Sequence, residues 1–444
     1  MTRFVCYLVF LATSISLLIG SEGRRIGRLE TVGWEEYFAL GANQSSYVKG
    51  ANYPDLSVVG ALVSNSNGLG TATLIAPNVI LTAAHVIKNS YTDIPNANEW
   101  KFYMGDDLQS TVNGSSWSSS EVYTIKEFHV HEGWTARQTL SNPDGDGDLL
   151  GVDIAIAFLD QNVSGFFPAR LPSQDDDPLE QRAILSGYGT LVEGSSGSED
   201  TSNRRRTGAE NTVDRSVPKV YENGVPDISL GGLLGIDFDS PTSSESKNAL
   251  SENFDVSGRT VLEEARLILG SGNSTATPLP LEASTAPGDS GGPAFVYTND
   301  AWRVHGVVSY GTDNSTYGDV TIYTRIASHY DWIHTRLPNW HNAKFIGEGN
   351  WRESPWLGPL LPYDSNWNFL TKLGWLYVSL AVGESFWAWN YLMQDWIWMS
   401  SELFPYIYSH SSGNWIYISE SKSNALSIRA YDFAQKKWNT YAGN

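Results

Sequence analysis

The chain nearly lacks cysteine. One occurs in 444 residues, Cys6, inside the apolar run at the N-terminus. No internal disulfide can therefore staple the fold, and thiol redox chemistry and thiolate metal sites are excluded. Positive charge is scarce too. The 29 Lys and Arg against 49 Asp and Glu give a formal net charge of −20, the wrong sign for neutralising nucleic-acid phosphates or an anionic lipid surface. Long apolar runs are missing after the first. "MTRFVCYLVFLATSISLLIGSEG" has a short basic start, an apolar stretch from Phe4 to about Ile19, and small residues, Ser21 and Gly23, placed for cleavage. No stop-transfer pattern follows, so residues 1–23 read as an export signal rather than an anchor. The mature chain is expected to be secreted or associated with the cell envelope, periplasmic or extracellular, with no transmembrane segment and no nucleic-acid partner.

What is present is a globular composition, 41% hydrophobic, with length enough for two domains. From about residue 55 to 335, short β-branched and aromatic runs such as "SVVGALV", "TATLIA", "DIAIAFL" and "WRVHGVVSYG" alternate with Gly, Asn, Asp and Ser. This is an all-β pattern. At 325–337, Ile326, Tyr330, Ile333 and Leu337 recur at helical spacing, so a helix is expected to close the unit. Polar inserts at 105–120, 193–211 and 239–254 read as exposed loops. The run Arg204 to Arg206 reads as solvated loop charge, with a processing site or an anion contact as alternatives.

After Leu337 the composition changes. Eleven of the 17 tryptophans lie from Trp340 to Trp438, and "GWLYV", "DWIWM" and "NWIYI" recur about every twenty residues. Aromatics alternate with aliphatics in each, which places the rings on one face of a strand. A small Trp-rich β domain, 358–444, is therefore expected after a linker at 338–357. Its rings are read mainly as the core of a domain with little else to bury, with a few exposed for contact with polysaccharide or a cell surface.

Chemistry concentrates in "TAPGDSGGPAF", 285–295. A serine hydroxyl is a poor nucleophile at neutral pH, so Ser290 needs a base and donors for the charge it creates. Among eight histidines, His85 stands out: "LIAPNVILTAAHV" runs a strand into a small-residue turn that ends on it. Asp153 opens the apolar run "DIAIAFL", where a carboxylate is costly to bury without a partner. The Nδ1–H of His85 would be that partner. Glycines around Ser290 let the backbone N–H groups of Gly288 and Ser290 converge on one point, an oxyanion site.

"TAAH", "DIAIAFL" and "GDSGGP", in that order, resemble the trypsin/chymotrypsin-like serine proteases, supported by "GYGT" at 187–190, "VVSYG" at 307–311 and "IYTRI" at 322–326. The resemblance covers residues 55–337. It implies two antiparallel six-stranded β-barrels with a C-terminal helix, a catalytic set of His85, Asp153 and Ser290, and an endopeptidase acting through an acyl-enzyme without a cofactor. Protein or peptide substrates are its expected partners. It also implies a pocket with Ser284 at its base, walls at Gly311 and Thr321, and an extended-substrate edge at Ser309 and Tyr310. With no acid at the base, an uncharged side chain is expected before the cut bond, unless Asp319 or Glu282 turns inward. Val86 and Ala286 stand where many relatives carry cysteine. The family often pairs a freshly cut N-terminus with the aspartate before the serine, here Asp289. Residues 24–54 are thus a candidate pro-segment, with Arg25-Ile26 one candidate cut. The alternative reading is an inactive scaffold of the same fold that binds a surface or polysaccharide. The Trp-rich tail more loosely resembles modules appended to exported bacterial proteins.

One further motif competes. "NPDGDGDLLGVD" fits a calcium loop, with Asn142, Asp144, Asp146, Gly147 and Asp153 in the spacing. Because Asp153 is wanted elsewhere, Asp144, Asp146 and Asp148 are the expected oxygens for any Ca²⁺.

Overall fold

A computed structural model describes residues 25–66, 68–108, 117–163, 165–197, 199–218, 221–222, 225–226, 231–334, 336–337, 343–346, 351–363, 367–378 and 385–443. The export signal and most of the linker lie outside these residues. No described helix is long and apolar enough to cross a membrane.

Six strands close into a barrel in the order Val59–Ser64, Leu69–Ala76, Val79–Thr82, Ala155–Leu159, Glu121–Val130 and Trp100–Met104. Val79–Thr82 and Ala155–Leu159 are buried throughout, which is why they read as unbroken apolar runs rather than alternating ones.

A second sheet runs in the order Thr207–Thr212, Arg182–Gly187, Pro293–Thr298, Ala301–Gly311, Val320–Arg325, Leu233–Asp237 and Arg215–Val217. Its two outer strands are consecutive in the chain and separated only by Val213 and Asp214. Counted as one strand broken at that step, they make this sheet a ring of six. The expected pair of six-stranded barrels is present, the second closing through the chain itself. The Arg325–Leu337 segment forms a 3-10 turn, Ile326–His329, then a short helix, Tyr330–His334. Ile326, Ile333 and Leu337 enter the core of the barrels.

Residues 25–54, part of the expected pro-segment, pack against the barrels. The strand Arg25–Arg28 pairs with Thr190–Glu193 on one side and Ala283–Ser284 on the other. A Cβ at Gly27 would collide with the carbonyl oxygen of Ser315, so only glycine threads there. The helix Trp34–Gly41 follows, and its fully buried Tyr37 donates to the Glu282 carbonyl at 3.0 Å. The helix Thr260–Leu269 was not foreseen, although its inward residues Leu262, Ala265 and Leu269 have helical spacing.

The arginine run also departs from expectation. Arg206 is buried and donates to the carbonyls of Gly41, Val59 and Gly105, while Arg204 and Arg205 lie over the rings of Trp117 and Phe38. It fastens the N-terminal segment to the barrels instead of solvating a loop.

The tail is an eleven-stranded antiparallel meander, each strand from Lys344–Phe345 to Lys437–Ala442 paired with the next. It coils on itself: Lys372 Nζ meets Glu420 Oε2 at 2.5 Å, and Gly374 abuts the Ala425 carbonyl. Its core is aliphatic, with Leu360, Leu370, Leu376, Ile397, Ile407, Ile416 and Ile428 inside. Trp356 packs against this core, but the tryptophans of the strands from Trp367 to Trp438 take the opposite face, which corrects the reading of them as mainly core. Trp387 faces Trp398 and Trp389 faces Trp396 across one strand pair, and Tyr408 faces Trp415 across another. The strand period of two separates the sets, and the slimmer aliphatic side chains fill the inside of the coil.

Candidate active site

Val79–Thr82 delivers the chain to Ala83, whose extended backbone starts the short helix Ala84–Ile87. The His85 N–H is one of the donors that a helix start leaves without an internal partner, and Asp153 Oδ1 accepts it at 2.9 Å. The other oxygen, Oδ2, lies 2.7 Å from His85 Nδ1. Two contacts to one carboxylate fix both the position of the helix and the tilt of the ring.

Asp153 is 1% exposed. Burial alone would push its carboxyl up, but the charge of His85 and hydrogen bonds from His85 and Ser309 outweigh that and hold it below the ordinary range. The Ser309 hydroxyl donates to Oδ2 at 2.5 Å, and Thr324 Oγ1 donates to the Asp153 carbonyl at 2.8 Å. An acid so held is placed to accept the Nδ1–H of His85, the tautomer in which Nε2 is the base.

Ser290 sits in a turn pinned from four sides. Its carbonyl accepts from Thr71 N at 2.8 Å, and Gly291 N donates to the Val308 carbonyl at 3.0 Å. Gly291, with φ +84°, lies so close to Thr82 Oγ1 and the Thr71 carbonyl that a Cβ there would collide with both, and would press on Ala83 N. Gly70 packs against Val86 and the Ser290 carbonyl together. The turn of Ser290 and the turn of His85 thus share a wall. The Ser290 hydroxyl itself makes no hydrogen bond among the described residues.

The amides of Gly288 and Ser290 donate to no group among the described residues either, whereas those of Asp289, Gly291 and Gly292 are all satisfied. Gly288 has φ +91°, a conformation that suits only glycine, and its carbonyl is held by Thr71 Oγ1 at 2.7 Å. Two free N–H groups one residue apart are what an oxyanion needs.

Asp289 points the other way, into the interior. Gly189 N and Ala286 N donate to it at 2.9 and 2.8 Å. Gly187 and Gly189 approach it so closely that neither could carry a Cβ, which accounts for "GYGT". Burial raises its carboxyl to about 7, against the lowering effect of those two N–H groups.

The pocket residues expected from sequence divide. Ser284 and Thr321 lie together, their hydroxyls 3.1 Å apart. Asp319, buried behind them, accepts from Ser284 Oγ at 2.9 Å and from the amides of Thr312, Asp313 and Ser315. Gly311 borders Asp319. Glu282 turns away instead, accepting from Asp239 N and Leu279 N. Ser309 sits at a register shift between Val308 and Tyr310, so its backbone is left out of the ladder while its side chain serves Asp153. That second role carried no signal in the sequence. The Tyr310 side chain packs among Leu233, Leu269, Val320 and Ile322.

In the calcium motif, side chains of the protein already occupy two of the carboxylates. Both oxygens of Asp146 are taken by Arg137, Nε and Nη2 each at 2.6 Å, and Asp153 is committed to His85. Among the described residues no group of three acidic or His side chains is disposed to hold a metal.

The family model described as Trypsin matches residues 47–225 and 254–333, more than half of the chain. Chymotrypsin-C of Bos taurus is 26% identical over 272 residues, covering 60% of this chain and 76% of that protein. Trypsin Tyr p 3.0101 of Tyrophagus putrescentiae is 24% identical over 265 residues, 59% of this chain and 69% of its own length. Phenoloxidase-activating factor 3 of Holotrichia diomphalia matches a shorter stretch, 49% identical over 49 residues, 10% of this chain and 14% of its own.

Proposed function

The chain belongs to the trypsin family of serine proteases, and we propose that it is an exported serine endopeptidase using His85, Asp153 and Ser290. Nε2 of His85 takes the Ser290 proton as Oγ attacks a peptide carbonyl, and Asp153 stabilises the imidazolium that forms. The charge on the carbonyl oxygen falls to the free amides of Gly288 and Ser290. His85 then protonates the leaving amine and activates the water that releases the acyl group. The observation that carries this reading is the pair of hydrogen bonds from His85 to the buried Asp153, beside a serine whose own amide and that of Gly288 have no partner among the described residues.

Activation follows from the path of the N-terminal strand. Ile26 pairs with Leu191, and Arg25 with Thr190, next to the Gly189 whose amide binds Asp289. Cutting after Arg25 would free an ammonium at Ile26 beside a buried carboxylate that no cation meets among the described residues. We take Ile26 as the mature N-terminus, with residues 55–337 as the main body of the protease and 358–444 as a separate module that contacts a cell surface or polysaccharide.

The pocket base is an acceptor. Ser284 gives its proton to Asp319, which leaves its oxygen an acceptor, so a side chain with a donor at its tip, Lys, Arg or Tyr, fits better than an aliphatic one. The hydrogen bond from Ser284 to the buried Asp319 supports this reading over the uncharged preference that the sequence suggested.

The experiment is labelling of the purified mature protein with a serine-directed phosphonate, beside Ser290→Ala. Labelling of the parent alone, with loss of proteolysis in the variant, is expected. An unlabelled parent that cleaves no denatured protein overturns the enzyme reading in favour of a scaffold.

A further inference from the structure

The outward face of the Trp-rich meander is unlike the rest of the surface. From Trp367 to Ala442 every outward strand position but one is aromatic, small or hydroxyl-bearing; the exception is Arg429, and no carboxylate occurs there. This is a nearly uncharged strip on a chain of formal net charge −20. The rings do not stack away from water. Trp415 is 41% and Trp438 44% exposed, and the rings between them are half-exposed.

The polar edges of these rings are unused. The indole N–H groups of Trp375, Trp389, Trp396, Trp398, Trp415 and Trp438 have no hydrogen-bond partner among the described residues, yet none is a buried unsatisfied atom. Each is open to solvent. A second protein surface covering such a strip would have to satisfy this row of donors while bringing enough apolar area. A lipid tail could satisfy none of them, and an anionic polymer would meet one cation only.

The row is also periodic. Neighbouring strands lie about 4.8 Å apart, so the aromatic rungs repeat at close to the length of one pyranose unit in an extended glycan chain. Sugar rings offer both C–H faces for aromatic stacking and hydroxyls for the indole N–H donors. We infer that the aromatic face of the meander is a docking strip for a neutral polysaccharide, the chain running across the strands. This deepens the surface contact proposed for the tail and is independent of whether Ser290 is catalytic.

The coil's core supports a clean test. The aliphatic residues hold the sheet from the inside, so ring deletions on the outside leave the fold in place. The full chain carrying Ser290→Ala is mixed with washed cellulose, curdlan and agarose, and separately with phosphatidylcholine vesicles, and its self-association is followed by sedimentation. Pelleting with at least one neutral glycan is expected, little changed between low and high salt. The pair Trp398→Ala and Trp415→Ala should weaken it at least tenfold at unchanged far-ultraviolet circular dichroism, while Trp398→Phe and Trp415→Phe retain part of it. The same Ala pair in a chain with Ser290 intact should cleave small peptides at the parent rate. No pelleting with any of the glycans, capture by vesicles alone, burial of the strip in a dimer, or binding unaffected by the Ala pair would each overturn the inference. Since the binding is measured without the Ser290 hydroxyl, failure here leaves the protease reading untouched, and failure to label Ser290 leaves this one standing.

Discussion

Ser284 and Asp319 are hydrogen-bonded at 2.9 Å, the serine proposed for the base of the substrate pocket backed by a carboxylate that is itself buried. The serine is thereby held as an acceptor with negative charge behind it. Asp319 is itself pushed up by burial, while Ser284, Thr312 and the amide of Asp313 act to lower it, and donors crowd it on every side that the structure describes. In a peptide library, cleavage after Lys, Arg or Tyr should exceed cleavage after Leu. Asp319→Asn should lower the ratio of kcat/KM for Lys over Leu about tenfold or more, since one lost charge–donor contact is worth roughly 1.5–3 kcal/mol. A ratio unchanged by the substitution would mean that the carboxylate is only a strut.

The Asp153 carboxylate should matter through the tautomer it imposes. Asp153→Asn presents an amide N–H or a carbonyl to Nδ1 and favours the wrong ring form. A fall in kcat on the order of 10⁴ is expected with the fold retained. Ser309→Ala removes one of three donors to the acid and should cost far less, about tenfold. Steady-state kinetics on a chromogenic peptide measures both, and equal effects would refute the hierarchy.

Amino-terminal sequencing tests the activation route. The active protein should begin at Ile26, and Arg25→Gln should leave a folded chain that labels slowly at Ser290. Asp289→Asn should be inactive however the chain is cut. Full activity in a chain that retains Arg25 at its N-terminal side would rule out this pairing.

Stability should fall toward alkaline pH. Burial raises Asp214 to about 6, Asp289 to about 7, and Asp239 and Glu282 to about 8, with the charge of Glu282 adding to the shift of Asp239. An unfolded carboxylate titrates near 4. Between about pH 4 and 8 the folded chain therefore holds protons that the unfolded chain has released, and its stability drops as pH rises. Asp153, shifted the other way, contributes stability above the unfolded value and loses it only in stronger acid. The Tm of Ser290→Ala should be several degrees lower at pH 8.5 than at pH 5, and Glu282→Gln should flatten the slope. A Tm that rises over this range would contradict the assignment. In the cut form an ammonium beside Asp289 would remove that residue from the group.

The sequence by itself determined what depends on local pattern. Short β-branched and aromatic runs between breakers gave the barrel strands, and a requirement of chemistry, a base, an acid and a nucleophile in a glycine-rich turn, pointed to His85, Asp153 and Ser290. Alternation in "DWIWM" told that the rings share a face. It did not tell which face is inside, because burial is decided by what closes over a strand. In a meander coiled on itself, Leu and Ile fill the interior and the tryptophans stay out. Arg206 is the same lesson with charge: three arginines in a row read as solvated until the fold brings the carbonyls of Gly41, Val59 and Gly105 to one guanidinium. The strand Arg25–Arg28 reads as a leader fragment until its partners, more than 150 residues away, place it inside a sheet. The hydroxyl of Ser309 on Asp153, and Asp319 behind Ser284, join residues from distant strands. No spacing along the chain encodes such contacts, since they come from how the strands are registered and how the two barrels close.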